Sequence, residues 1–424
     1  MSVQSAPSRR RVLVASLVGT AVEFYDFYIY ATAASLVFGP LFFPAASPSA
    51  QLLLSYATFA VAFVARPVGA MAFGHFGDRI GRKSTLVASL LIMGASTMAI
   101  GLLPTYATIG WLAPLLLCIL RFGQGFGLGG EWGGATLLAV ENAPPHMRAR
   151  YGMMPQLGAP VGFIMANGLF LLLGLTLTPD QFREWGWRLP FLASAVLVGI
   201  GLWVRLKLTE TPSFKAALAE APPERVPLGV VIRKHGREVF GGIFAVVIAY
   251  TLFYLATVFV LGYATTTLGH SRTSVLGVQI TAILFMAVGA IAAGWLSDYY
   301  DARRVLMAGC LGAIVTGFLM TPLMGDGSLA GIFIFLCLAL SMMGLVYGPL
   351  GAFLPGLFPP RLRYTGVSVS FNVGGVLGGA LVPYIAQALA NEAGSLKPVG
   401  YSLSAAALVS LIALWLLKRQ PITD

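Results

Sequence analysis

Five ionisable residues stand inside apolar stretches of this 424-residue sequence: Glu23, Asp26, Arg66, Arg121 and Glu131. Each would cost about 2.5 to 3.5 kcal/mol to place in hydrocarbon, so each needs a reason. Glu23, Asp26 and Tyr30 fall on one helical stripe, and Arg121, Gln124, Leu128 and Glu131 share a broad face. Three carboxylates against two guanidinium groups leave one negative charge uncompensated, and a proton would neutralise it. The chemistry on offer is therefore proton exchange. The bland alternative is a structural ion-pair cluster that ties three helices together. Nothing else reads as reactive. Cys118, Cys310 and Cys337 lie within apolar runs as small hydrophobes, and His75, His146, His235 and His270 lie in or beside polar breaks. With no Cys/His cluster, nucleophile elbow or phosphate loop, the sequence predicts no enzyme, no metal and no cofactor other than a proton as coupling ion.

Composition says what must position these charges. Hydrophobic residues make up 57% of the chain and charged ones 10%, against about a quarter charged in soluble domains. With roughly 20 residues per crossing there is room for about a dozen membrane helices. Apolar runs between polar breaks give twelve, centred near Phe24, Ala65, Met93, Gly125, Phe163, Leu197, Ile248, Phe285, Gly312, Met342, Val376 and Leu408. If the N-terminus is cytoplasmic, 21 Lys and Arg fall on the cytoplasmic side and only Arg183, Arg188, Arg272 and Lys397 outside. That asymmetry predicts both termini in the cytoplasm. The net charge of +11 is thereby topology, and no nucleic-acid partner is expected. Arg9-Arg10-Arg11 precedes an apolar run too long and too acidic for a signal peptide, so an uncleaved first helix is expected.

Helical rise sets depth. Glu23 is 12 residues from Arg11, Arg66 is 12 from Asp78 and Glu131 is 10 from Glu141, which places all three about 15 to 18 Å in, near the midplane. Arg121 falls nearer the outer side, with Asp26 between. The later spans carry hydrogen-bonding groups instead: Tyr250, Tyr254, Gln279, Tyr347, Asn372, Tyr384 and Gln387, of which Tyr250 and Tyr254, one turn apart, form the best pair. Gly125, Gly129 and Gly133, and Gly374, Gly375, Gly378 and Gly379, predict close helix contacts.

A polar, proline-bearing break over 206–237 divides the chain into an N-terminal six-helix half (1–205) and a C-terminal one (238–424). Gly74-x-x-x-Asp78 recurs as Gly294-x-x-x-Asp298, and Pro144-Pro145-x-x-Arg148 as Pro359-Pro360-x-x-Arg363. The halves thus read as parallel repeats.

Gly74-His-Phe-Gly-Asp78-Arg79-Ile-Gly81-Arg82-Lys83 resembles the loop between helices 2 and 3 of the major facilitator superfamily. Other segments are similar to its metabolite:H+ symporter family: Gly19-Thr-Ala-Val-Glu23-Phe24-Tyr25-Asp26-Phe27, Ala65-Arg66-Pro67-x-Gly69, Arg121-x-x-Gln124-Gly125-x-x-x-Gly129-Gly130-Glu131-Trp132-Gly133, Trp185-Gly-Trp187-Arg188-x-Pro190-Phe191, Glu210-Thr-Pro212 and Tyr347-Gly-Pro349. The resemblance implies an all-α fold of twelve membrane helices and proton-coupled uptake of a small organic acid or zwitterion. It implies a gating set of Gly74, Asp78, Arg79, Gly81, Arg82, Glu141 and Asp298. The second-half loop departs from the pattern, with Tyr299, Asp301 and Ala302 where arginine, glycine and arginine are expected, and Gly356 where an acid is usual. The latch is therefore expected to depend mainly on the first half, with Asp298 the lesser of the two loop acids.

The function expected is symport of a small anionic or zwitterionic metabolite by a monomer in a bacterial inner membrane. Asp26, then Glu131 and Glu23, are the proton-coupling candidates, and Arg66, Arg121, Gln124, Tyr30, Tyr250, Tyr254 and Asn372 the substrate and charge network. A proton/drug antiporter and a transport-dead sensor acting through 206–237 are the alternatives.

Overall fold

The computed structural model describes residues 9–44, 46–80, 82–129, 131–141, 143–206, 227–359 and 362–417. Among them there is no strand, and the described helices group into twelve spans. The first six are α1 (Arg9–Leu36), α2 (Pro48–Ile80), α3 (Arg82–Leu102), α4 (Leu112–Leu128 continued by Glu131–Glu141), α5 (Arg148–Gln156 continued by Gly158–Thr176) and α6 (Leu189–Leu206). The last six are α7 (Pro227–Tyr254, a π-turn at Leu255–Phe259, then Val260–Thr266), α8 (Arg272–Tyr300), α9 (Ala302–Met324), α10 (Leu329–Tyr347 and Leu350–Gly356), α11 (Arg363–Gly375, a π-turn at Val376–Ala380, then Val382–Ala393) and α12 (Lys397–Leu416). Nine described helices are long and apolar enough to cross a bilayer, and α3 and α4 supply the shorter apolar stretches Val87–Leu102 and Leu112–Leu128. Helix is the outcome because lipid offers no partner for backbone N–H and C=O groups, so each segment must satisfy its own.

Side-chain caps set several ends. Ser271 accepts from Ser274 N at 3.1 Å to start α8, and Ser328 from Gly331 N at 3.1 Å to start α10. The turn between α8 and α9 keeps a glycine-like backbone without a glycine: Asp301 has φ 81° and ψ 129°, a region costly for any residue with a Cβ. Its carboxylate offsets part of that cost by accepting from Arg303 N at 3.3 Å. Among the described residues helix resumes at Pro227, with a break in its backbone at His235.

The principal pairings are α1 with α5, α2 with α4 and α3 with α6; then α7 with α11, α8 with α10 and α9 with α12. The second set is the first displaced by six spans, as expected for a parallel repeat. Between the two sets, α8 and α10 rest on α5, and α7 and α11 on α1 and α2. Glycines bring backbones together where charges must be placed. A Cβ on Gly125 or Gly129 would collide with the Ala62 or Arg66 carbonyl of α2, so α4 carries Arg121 and α2 carries Arg66 at short range. The described ends of α1, α6, α7 and α12 that adjoin the chain termini and the central break share one face, here the termini face.

Candidate functional site

A small cavity lies between the two sets of spans, lined by Glu23 and Phe24 of α1, Arg66 of α2, Trp132 of α4, Tyr250 of α7, and Phe371 and Asn372 of α11, among others. A second small lobe shares Phe24 and Tyr250 with it and adds Tyr28, Phe253, Tyr254 and Tyr347. One lobe holds the charges; the other is aromatic, with phenol hydroxyls as its main polar groups.

Arg66 is 4% exposed and bridges the seam, Nη1 donating to Tyr250 Oη at 3.2 Å. Its guanidinium lies over the rings of Phe27 at 4.3 Å and Phe63 at 4.8 Å, an arrangement that supports a cation away from water. Its Nε–H reaches no acceptor. Asn372 crosses the seam in the other direction, donating to Gly129 O at 3.3 Å and, within α11, to Ser368 O at 2.9 Å.

Arg121 and Asp26 lie outside that lining and are fully buried. Arg121 sits over Tyr30 at 4.0 Å, Phe27 at 4.3 Å and Phe59 at 5.0 Å, and its Nη1 donates to Gln124 Oε1. Gln124 Nε2 in turn donates to the Asp26 carbonyl at 2.8 Å and to Thr97 Oγ1 at 2.9 Å. The Asp26 carboxylate accepts from Ser194 Oγ at 2.5 Å and Thr97 Oγ1 at 3.5 Å. A hydroxyl can donate to a carboxylate or accept from a carboxylic acid, so this nest can hold Asp26 with or without a proton. Tyr30 is held by Thr58 at 2.7 Å.

The structure thus brings Glu23, Arg66, Tyr250 and Asn372 to one cavity and places Tyr254 in the adjoining lobe. It gathers Asp26, Gln124, Arg121 and Tyr30 into a buried network beside it. Gln279, Tyr384 and Gln387 line neither lobe: Gln279 serves the backbone of α7, Gln387 donates to Asn391 at 2.8 Å and Tyr384 is exposed. The Glu131 side chain lies outside the described residues, as do Gly81 and the side chains of Asp78, Arg79 and Arg82; Gly74 is placed only as part of α2. Thr97 and Ser194 escaped the sequence reading because uncharged residues on α3 and α6 carry no signal there. So did the pair Trp132 and Phe371, stacked at 3.6 Å and 4° across the seam, although Trp132 belongs to a motif already singled out.

Both ends of the cavity are crossed by contacts between the halves. On the opposite face Tyr56 of α2 donates to Val258 O of α7 at 3.0 Å. Near the termini face Asp298 of α8 accepts from Arg150 Nε at 2.8 Å and from Ala149 N at 2.9 Å, both at the start of α5. Asp298 was expected to be the lesser of the two loop acids, and the side chain of Asp78, the other, lies outside the described residues. The Asp298 loop has lost the arginine, but Arg150 supplies a cation from the other half, steadied over Trp295 at 4.2 Å. Glu141, by contrast, is exposed at the end of α4.

The family model described as Major Facilitator Superfamily matches residues 16–383 and, separately, 244–424. The inner membrane metabolite transport protein YhjE of Escherichia coli K12 is 54% identical over 96% of this chain and 94% of its own length. The shikimate transporter of the same organism is 38% identical over 96% and 94%. Among solved structures, the proton:xylose symporter XylE bound to 6-bromo-6-deoxy-D-glucose superposes with a TM-score of 0.76 at 16% identity, covering 96% of this chain and 94% of that one. The relatives are transporters, not enzymes.

Proposed function

Because the chain belongs to the Major Facilitator Superfamily, we propose that it is a symporter that takes up a small anionic or zwitterionic metabolite together with a proton, working as a monomer in a bacterial inner membrane. It is an integral membrane transporter of small molecules, and the two six-span sets are the bodies that rock about the cavity. Charge asymmetry along the sequence supports cytoplasmic termini, which makes the termini face the inner one. The observation that carries the reading is the pairing of a cavity-lining cation with a buried acid just outside the lining. Arg66, with a spare N–H, offers a substrate carboxylate a charge-assisted bond. Shikimate, which names one relative, is such a carboxylate.

Asp26 leads as the proton-coupling acid, ahead of Glu131 and Glu23, because its hydroxyl nest suits both protonation states. Gln124 links it to Arg121, giving movement of the halves a route to alter its surroundings. The coupling ion is the proton and no other cofactor is invoked. In liposomes, Asp26→Asn is expected to keep substrate counterflow and lose accumulation driven by a pH gradient. Gradient-driven accumulation retained in Asp26→Asn, Glu131→Gln and Glu23→Gln alike would refute the assignment.

A further inference from the structure

α7 does not run as one regular helix. Its π-turn at Leu255–Phe259 offsets the i→i+4 ladder and leaves carbonyl groups to other donors. Three consecutive carbonyls there are taken by side chains. Gln279 Nε2, from α8, donates to Ala256 O at 3.0 Å and Thr257 O at 2.9 Å. Val258 O accepts from Tyr56 Oη of α2 at 3.0 Å and from Ser35 Oγ of α1 at 3.3 Å. The Gln279 bonds stay within the last six spans, whereas both Val258 bonds cross the seam. Every participant is buried, Tyr56 fully. The fit is tight as well: a Cβ on Gly262 would collide with the Tyr56 hydroxyl.

We infer that Tyr56, assisted by Ser35, latches the face opposite the termini by holding the π-turn of α7, and that release of Val258 O opens that face. The π-turn favours this, because its wider i→i+5 turn pairs the carbonyls less well along the helix and turns them toward neighbouring donors. Tyr56 is the main donor, since Ser35 also donates to Ala31 O at 2.9 Å and its bond to Val258 is the longer. Tyr254 is the residue before the turn and lines the aromatic lobe, so a solute that displaces its ring acts directly on the latch.

The test uses two reporter cysteines in the full chain. Leu52→Cys sits at the latched seam, where Leu52 is 5% exposed and packs beside Gly262. Ser368→Cys lines the cavity toward the termini face. Each is labelled with a membrane-impermeant maleimide in right-side-out and inverted vesicles, against protein lacking the reporter. Losing one buried hydrogen bond between the halves in Tyr56→Phe should raise the Leu52→Cys labelling rate about fivefold and lower that of Ser368→Cys. Gly262→Ala, which pushes the hydroxyl away, should act in the same direction. An unchanged Leu52→Cys rate in Tyr56→Phe overturns the latch, and so does a rise at both reporters, which would mean a loosened fold. The Tyr56 variants are compared with Asp26 intact and at one pH, whereas Asp26→Asn is judged by gradient-driven uptake alone, so the latch and the symport reading fail separately.

Discussion

Replacing Arg66 tests the substrate side of the site. The guanidinium bonds Tyr250 Oη at 3.2 Å and lies over Phe27 and Phe63, its buried Nε–H has no acceptor, and the residue lines the cavity. Truncating one partner of a desolvated, hydrogen-bonded charge pair costs about 2 to 5 kcal/mol, about 30-fold to several thousandfold in affinity. Arg66→Ala should therefore abolish measurable binding of a carboxylate solute while the protein still inserts and purifies. Arg66→Lys keeps the charge but loses the planar fork, and should fall between, at about tenfold weaker binding. Tyr250→Phe removes one bond to a charged group, worth about 1.5 kcal/mol at its rather long distance, or about tenfold. Because Arg66 and Tyr250 act as a unit, the Arg66→Lys/Tyr250→Phe double variant should lose less than the product of the two. The assay is a thermal-shift titration with organic acids, where a bound ligand stabilises by RT ln(1 + [L]/Kd), followed by uptake in liposomes. Wild-type uptake by well-expressed Arg66→Ala would refute the reasoning.

Other expectations follow from the same contacts. Asp298→Asn keeps an acceptor for Ala149 N but loses the charge facing Arg150 in a pair whose side chains are 5% and 20% exposed; a loss of about 1 to 2 kcal/mol should speed labelling of Ser368→Cys from the termini face about five- to thirtyfold, and the exchange Arg150→Asp/Asp298→Arg should restore part of it. Asp301→Gly removes backbone strain of about 1 to 2 kcal/mol and a cap worth about 0.5 to 1 kcal/mol, so a net rise in thermal stability of about 0.5 to 1 kcal/mol is expected, and a lower melting temperature would contradict it. Gly125→Val drives methyl groups into the Ala62 carbonyl; it should destabilise by more than about 2 kcal/mol in thermal unfolding, whereas Gly168→Ala, with open space around it, should not.

What was legible from sequence follows from what each signal measures. Hydropathy and the repeat of Gly74-x-x-x-Asp78 at Gly294-x-x-x-Asp298 report burial and symmetry, and the twelve spans with their six-span offset match both. Of Glu23, Arg66 and Glu131, expected in one layer, the first two line the same cavity and the side chain of the third lies outside the described residues. Depth along an axis contains no azimuth, however. Rise alone leaned Asp26 toward Arg121, whereas the rotation of α4 sets Arg121 against Tyr30, Phe27 and Phe59 and inserts Gln124 between it and the Asp26 backbone. Ser194 and Thr97 complete the Asp26 nest from spans whose sequences carry no charge at that level.

Contacts between the halves were the least legible, and for a physical reason. Arg150 could be counted as one more positive residue on a cytoplasmic loop, because nothing local to it distinguishes a topogenic charge from a partner of Asp298, 148 residues away. The same holds for Tyr56 and Val258, 202 residues apart, whose bond further requires a π-turn that no local propensity announces. Contacts that must break in every transport cycle are held by few groups, so that neither facing state becomes a trap. A rocking transporter is therefore expected to write its helices strongly into its sequence and its gates faintly. Consistent with this, each of the contacts described at the two ends relies on very few polar donors: Arg150 and the Ala149 amide on Asp298, and Tyr56 and Ser35 on Val258. At about 1 kcal/mol for each neutral bond to Val258 O and about 1.5 to 3 for each bond to the Asp298 carboxylate, the two ends differ by a few kcal/mol, a gap of the size that a ligand's differential affinity for two states can close.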